Sequence, residues 1–397
     1  MKTRILTRTI LLVSFVSLFT DVASEMLYPV MPVYLTSIGF SVLLIGILEG
    51  IAEAIAGLSK GYFGQSSDVL KKRVPFVRAG YTLSAFSKPM MAVFTWPWWI
   101  FVARTIDRLG KGVRTGARDA ILSDETIPEH KGKVFGFHRS MDTIGAAIGP
   151  MLALLFLWFH PGEYKILFYL AFFPGLIAVG FTFFLKEKKH GALPDHIRPG
   201  FLSYLKYWKR SAISYRYLVA GLLMFTVFNS SDAFLLLAIK NKHISDTGMI
   251  AMYIFYNLVY ALASYPLGML ADKIGLKTML ICGILLFAGV YMGFGFTSAI
   301  SGFVVLFFFY GIYAASTEGI SKALISNIAA KSDTATAIGF FTSIASVCSL
   351  FASTAAGILW FTLGMKAMFM ISGIGVLIAG LYFLVISKKL ILFKQEI

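Results

Sequence analysis

The stretch Gly64-Gln-Ser-Ser-Asp68-Val-Leu-Lys71-Lys72-Arg73 returns 204 residues later as Gly268-Met-Leu-Ala-Asp272-Lys273-Ile-Gly275-Leu-Lys277. Both copies interrupt sequence that is otherwise apolar enough to dissolve in lipid. Charge is costly in hydrocarbon, so such clusters belong where a chain leaves the membrane. Their matched placement implies a duplicated membrane protein.

Outward from these loops the chain is uniformly apolar. Of its 397 residues 57% are hydrophobic and 14% charged, against about 25% charged in ordinary soluble domains. A soluble core is excluded. A membrane helix needs roughly 20 apolar residues, and twelve of them leave about 33 residues for each span and its loop. The pattern predicts spans near 9–35, 41–64, 74–94, 97–118, 133–158 and 164–186, then 216–239, 247–271, 276–297, 301–328, 334–362 and 366–387. The fold class is therefore an all-α membrane protein, with twelve transmembrane helices in two pseudo-symmetric six-helix bundles. The bundles are 1–186 and 216–397, and the polar stretch 187–215, with Pro194 and Pro199, is the linker between them. Gly136-Phe137 and Gly339-Phe340 repeat at an offset of 203, nearly that of the two aspartates.

The formal charge of +16 is no nucleic-acid signature, because the basic residues fall in alternate loops instead of on one soluble face. The amino terminus (Lys2, Arg4, Arg8), both repeated loops, the linker (Lys186, Lys188, Lys189, Arg198, Lys206, Lys209, Arg210) and the tail (Lys388, Lys389, Lys394) share one side. By the positive-inside rule that side is cytoplasmic, and both termini lie there. Opposite loops hold few bases: Lys165, Lys240, Lys242 and Lys366. The first apolar stretch has basic flanks but contains Asp21, Glu25, Pro29 and Pro32 and no small-residue cleavage site, so it is read as a retained helix. Cys282 and Cys348 fall within spans and suit packing, not metal or disulfide chemistry. No phosphate-cradling loop, His-Glu-x-x-His or cysteine-histidine cluster is present, so no enzyme, cofactor or metal centre is expected. Trp96, Trp98 and Trp99 are placed as interface anchors.

Charges inside spans carry the functional reading. In the fourth span Arg104, Asp107, Arg108, Lys111, Arg114, Arg118 and Asp119 share one helix face of roughly 140°. That face must line a wet cavity or meet acidic partners, and Arg104 and Arg108 are its deepest members. Asp21 and Glu25 stand one helical turn apart in the first span, and Glu49 and Glu53 repeat the spacing in the second. Two close, desolvated carboxylates can load and release a proton; a static salt-bridge network with Arg104 or Arg108 is the alternative, open above all for Glu49 and Glu53. Asn229-Ser230-Ser231-Asp232 interrupts the seventh span, and Glu318 with Lys322 marks the tenth, where an intrahelical pair would equally account for them. Gly136, Gly145 and Gly149-Pro150 in the fifth span allow close packing and a helix bend. His138, Arg139 and Asp142 are expected to join a charge network with the fourth span.

The Gly-Asp-basic signature between spans two and three, repeated between eight and nine, resembles that of the major facilitator superfamily, and the resemblance covers essentially the whole chain. It implies gating roles for Gly64, Asp68, Lys72, Arg73, Gly268, Asp272, Lys273, Gly275 and Lys277, which would hold cytoplasmic helix ends together in one alternating-access state. The first copy departs at Val69, where a base is usual, and at Lys71, where glycine is usual, so the two turns are expected to be unequal. Arg104 with Gly110 and Gly112 is similar to the fourth-helix motif, implicated in proton coupling or substrate contact, with Asp107 in place of glutamine and Arg108 in place of glycine. The spacing of Gly136, Gly145, Gly149 and Pro150 is similar to the fifth-helix motif of antiporters, departing at Ala153 and Leu154. Spans one, four, seven and ten are cavity helices by this resemblance, which assigns Arg104, Asp107, Arg108, Asn229, Asp232, Glu318 and Lys322 to the substrate cavity.

The combined expectation is a secondary transporter in a bacterial inner (plasma) membrane that works as a monomer by proton-coupled efflux of a small molecule. A symporter or exchanger of an anionic substrate, using the arginine-rich fourth helix, is the second reading. A non-transporting membrane sensor is the third, disfavoured because no soluble domain is appended.

Overall fold

The computed structural model describes residues 5–28, 30–188, 199–240 and 246–392. Side chains at 32, 42, 43, 45–47, 49, 246, 247, 250 and 387–392 lie outside the described set, as do Lys2, Arg4, Pro29, Lys189, Pro194, Arg198, Lys242 and Lys394.

The described residues form helices and no strand: α1 (Arg8–Glu25), α2 (Met31–Ser37), α3 (Val42–Val69), α4 (Val74–Val93), α5 (Pro97–Asp124), α6 (Lys131–Phe159) and α7 (Tyr164–Thr182). A short α8 (Tyr207–Arg210) follows, then α9 (Ile213–Phe228), α10 (Ala233–Lys240), α11 (Asp246–Ile274), α12 (Leu276–Phe294), α13 (Ile300–Ile328), α14 (Thr334–Leu363) and α15 (Met365–Leu392). In lipid every backbone N–H and C=O must find a partner within the protein, which is why an apolar chain of this kind is helical throughout. Among the described residues eight stretches are long and apolar enough to cross a membrane on length and composition alone. The charges of α5 keep that helix out of the eight.

Two expected spans are corrected. The first, expected as one helix over 9–35, breaks after Glu25 and resumes at Met31. The seventh, expected as one helix over 216–239, breaks at Asn229–Asp232 between α9 and α10. The breaks begin at Met26 and Asn229, again 203 residues apart. In the first case the sequence places prolines at 29 and 32, and proline restricts the residue before it and lacks the N–H that a helix ladder needs. In the second, Asn, Ser and Asp side chains compete with the backbone for its own hydrogen bonds.

The chain divides into two compact units: Met1–Ile127 with Met141–Tyr207 and Ala330–Ser343, and Pro128–Ser140 with Trp208–Ala329 and Ile344–Ile397. In the first, α5 packs on α3 and α4, and α7 on α1 and α4. In the second, α13 packs on α11 and α12, and α15 on α9 and α12. These are the same four pairings in the same order, which is the duplication written in packing. The start of α6 packs within the second unit and the start of α14 within the first. Large apolar side chains such as Trp98, Trp158, Phe361 and Val385 stand exposed on the helices, as suits a surface solvated by lipid.

Candidate functional site

Each repeated loop caps a helix. Asp68, at the end of α3, is buried and accepts from the backbone N–H groups of Ala335 (3.4 Å) and Thr336 (2.5 Å) and from the Thr336 hydroxyl (2.6 Å). These groups open α14, whose first turn has no intrahelical acceptor and whose dipole favours an anion. Asp272, near the end of α11, accepts from Gly132 N–H (2.8 Å) and Lys133 N–H (2.9 Å) in the first turn of α6. The receiving residues are themselves related by the repeat. A Cβ on Gly64 would lie 2.5 Å from the Ala335 carbonyl oxygen, and one on Gly268 would collide with that of Gly132. Glycine at both places is what lets the helices approach.

The first loop carries more. Arg73 pairs with Asp68, donates to Ser67 Oγ (2.8 Å) and reaches Asp124 at 3.7 Å. Glu187 accepts from Arg73 N–H and Val74 N–H, one bond to each carboxylate oxygen at 2.8 Å, and so caps α4. Ser203 donates to Gln65, and Tyr204, fully buried, meets Ser343 Oγ at 2.8 Å. Lys71 and Lys72 are exposed, as are Lys273 and Gly275 in the second copy, while Lys277 is half-buried.

Deeper in the first unit the charged face of α5 is largely buried, with Arg104, Asp107, Arg114, Arg118 and Asp119 all enclosed. Asp107 accepts from Lys88 Nζ (2.6 Å) and Ser87 Oγ (3.3 Å), and Arg104 stands 3.4 Å away. Lys88, on α4, also donates to Ser24 (3.1 Å) and is almost entirely buried. Arg114 donates to Ser84 (2.7 Å) and stacks over the Tyr81 ring at 4.5 Å. Arg118 bonds Asp119 (2.9 Å), Ser17 (3.1 Å) and, at 3.9 Å, Asp142, which also accepts from Ser17 (2.6 Å). Arg108 lies 3.8 Å from Glu53, whose side chain is about half exposed.

Asp21 and Glu25 are partly buried on α1. Among the described residues neither closes an ion pair. The charges that act on Asp21 are Asp142, Glu25, Arg114 and Lys111, and those on Glu25 are Lys111, Arg108, Asp142 and Arg104. α6 seats directly on this turn: a Cβ on Gly145 would collide with the Leu18 carbonyl and lie 3.0 Å from Asp21 Cβ, and one on Gly149 would lie 2.7 Å from Met26 N. Gly136 serves a different contact: a Cβ there would lie 2.5 Å from the Ser264 carbonyl oxygen on α11. The helix runs unbroken through Pro150. The side chain of Glu49 lies outside the described residues.

In the second unit the break between α9 and α10 is held by four tyrosine hydroxyls. Asn229 donates to Tyr313 (3.0 Å), Ser230 and Tyr291 share a bond (3.0 Å), and Tyr256 and Tyr310 each donate to one oxygen of Asp232 (2.7 and 2.6 Å). Glu318 pairs with Arg139 at 3.2 Å, an ion pair to the start of α6 in addition to any along its own helix toward Lys322. Arg139 also bonds Tyr260 and stacks on its ring. The expected grouping of His138, Arg139 and Asp142 with the fourth span is thus corrected in part: Asp142 joins α5 through Arg118, whereas Arg139 turns to α11 and α13.

Sequence reasoning missed Lys88 and the tyrosines. A lysine within an apolar span is a signal in its own right. Tyr253, Tyr256 and Tyr260 recur at helical spacing on α11, as do Tyr310 and Tyr313 on α13, and the register pointed to one shared face.

Membrane-length apolar helices built as a repeated set, with buried charge within each unit, make this an integral multi-pass membrane protein. The sequence profile of the Major Facilitator Superfamily matches residues 13–256 and again 218–394, and the chain belongs to that family. It is 33% identical over 389 residues to an uncharacterized MFS-type transporter of Methanocaldococcus jannaschii, covering 96% of each chain. A multidrug resistance protein MdtH of Cronobacter sakazakii is 23% identical over 302 residues, 75% of this chain and 72% of that one. Among solved structures, the human organic anion transporter MFSD10 (TETRAN) superposes with a TM-score of 0.80 at 17% identity, covering 95% of this chain and 99% of that one. The transporter FucP of E. coli, solved in the outward conformation, gives 0.73 at 11% identity, covering 96% and 99%. These likenesses show the twelve-helix fold; the protein is a transporter of this family.

Proposed function

We propose that this transporter is a proton-coupled exporter of a small solute, with Asp21 and Glu25 as the proton carriers. The observation that carries this reading is the turn of α1 on which α6 rests. Two carboxylates one turn apart close no ion pair among the described residues, stand within the field of Lys111 and three arginines, and touch the glycine face of α6. A pair so placed changes protonation when the helix beside it moves, which is what coupling to a gradient needs. The similarity to multidrug resistance protein MdtH supports efflux as the direction. Asp68 and Asp272 are gates, made in one state of the cycle and released in the other. The positive side is cytoplasmic, the membrane is the plasma membrane, and the transporter acts as a monomer.

In reconstituted vesicles with an imposed pH gradient, Asp21→Asn or Glu25→Gln abolishes gradient-driven flux while the melting temperature is kept. Unchanged gradient dependence in both variants refutes the reading.

A second reading, transport of an organic anion by symport or exchange, is favoured by the basic face of α5. Arg104 there keeps Asp107 as a close partner, and Arg108 faces the half-exposed Glu53. Arg104→Glu then abolishes binding of anionic candidates, and binding indifferent to that reversal removes this reading.

A further inference from the structure

We infer that the break Asn229–Asp232 forms a binding site for a small monovalent inorganic cation, centred on Asp232. This goes beyond the proton reading above and does not depend on it, since the residues belong to the second unit and the carriers proposed there to the first.

The first argument is charge. Asp232 is partly enclosed between α9, α10, α11 and α13, and both its oxygens are engaged by neutral hydroxyls, those of Tyr256 and Tyr310. Among the described residues no lysine, arginine or histidine pairs with it. The charged groups that act on it are Glu318, of the same sign, and Arg139, which is already committed to Glu318 and Tyr260. A carboxylate partly enclosed among aromatic rings favours a compensating cation, and among the described residues the one opposite charge that acts on it, Arg139, is shared with Glu318.

The second argument is the backbone. The last-turn carbonyls of α9 lose the N–H donors that a continued helix would give them. Asn229 N–H reaches back to Thr226, and Ser231 N–H goes to Ser353 Oγ instead (3.1 Å). The break therefore leaves a helix C-terminus, whose dipole favours positive charge, a few residues from a carboxylate that no base pairs with among the described residues. Carbonyl, carboxylate and hydroxyl oxygens are the ligands that hard cations take, and discontinuous helices supply them in this way.

The third argument is how closely the surrounding rings pack. Tyr256, Tyr291, Tyr310 and Tyr313 are buried, and the rings of Phe287 and Tyr291 stack at 4.1 Å and those of Tyr310 and Tyr313 pack at 5.2 Å. Walls packed this closely suit an ion better than a drug-sized organic cation. Four tyrosine hydroxyls fix the break without closing the charge balance, so the arrangement is more than a structural staple.

The test uses the purified full-length protein in detergent, melted in increasing NaCl against choline chloride at constant ionic strength, together with equilibrium binding of radioactive sodium. Sodium is expected to raise the melting temperature in a saturable way, because a ligand that binds the folded state stabilises it. Asp232→Asn abolishes both the sodium-dependent rise and the bound sodium. Tyr310→Phe, which keeps the charge and the ring, weakens sodium by roughly tenfold. Asp21→Asn leaves sodium binding unchanged, so loss of proton-driven flux and loss of this site are read separately. A wild-type protein indifferent to sodium, including one that responds to pH alone, overturns the inference, as does sodium binding retained in Asp232→Asn.

Discussion

The two copies of the duplicated loop do the same thing with unequal means. Asp68 and Asp272 each cap the first turn of a helix through residues related by the repeat. Around Asp68, however, stand Arg73, Ser67, the Thr336 hydroxyl and, beyond them, Asp124 and Glu187. Around Asp272, among the described residues, the hydrogen bonds come from two backbone N–H groups, with His130 and Lys133 acting on it as charges, and Lys277 occupies the place of Arg73 in the repeat. The sequence suggested inequality from the departures of the first copy, Val69 and Lys71. The structure shows the departing copy to be the more elaborate one. Deviation from a motif measures what a loop has lost at those positions, not what its neighbours have added.

Removal of the two aspartates probes this contrast most severely. Asp68→Ala leaves the Arg73 guanidinium buried without its main counter-charge, a loss on the order of 3 kcal/mol. Asp272→Ala removes only a cap, at about 1 kcal/mol. Melting of the two purified variants should therefore show a distinctly larger drop for the first; equal drops would mean that the extra partners of Asp68 add nothing. Next in size is Glu187→Ala, which uncaps α4 and should lower stability by about 1 kcal/mol. Its effect should largely vanish in a protein already carrying Asp68→Ala if the cap and the ion pair act as one network, and add in full if they do not. The smallest effect belongs to the turn of the first copy. Lys71 takes φ 49° where the second copy has Gly275 at φ 95°. Lys71→Gly should thus be neutral or stabilising by a few tenths of a kcal/mol, and Gly275→Ala destabilising by about 1 kcal/mol, in the same melting assay.

Much of the fold was legible because it is dictated by solvent. Long apolar runs, basic loops on alternate sides and an offset of 203 to 204 residues suffice for a twelve-helix membrane protein built by duplication. The breaks in the first and seventh spans were legible in part: Pro29 and Pro32 announce one, and Asn229-Ser230-Ser231-Asp232 announces the other. Each run was instead read as polar residues within a continuous helix. The candidate site was legible residue by residue but not in its pairings. Arg104, Asp107 and Arg108 could be placed on one face of α5 from periodicity, yet Lys88, the closest partner of Asp107, lies on another helix. Arg139 and Asp142 are three residues apart on α6 and still belong to different units.

By itself the sequence determined the class of protein, the helices, the repeat and which residues carry charge into the membrane, because burial in lipid acts on composition and periodicity along the chain. Tertiary structure alone decided which charges meet, that Glu318 meets Arg139, and that four tyrosines converge on the break before α10. Those pairings depend on how helices distant in sequence are set against one another, and hydropathy carries no record of that register.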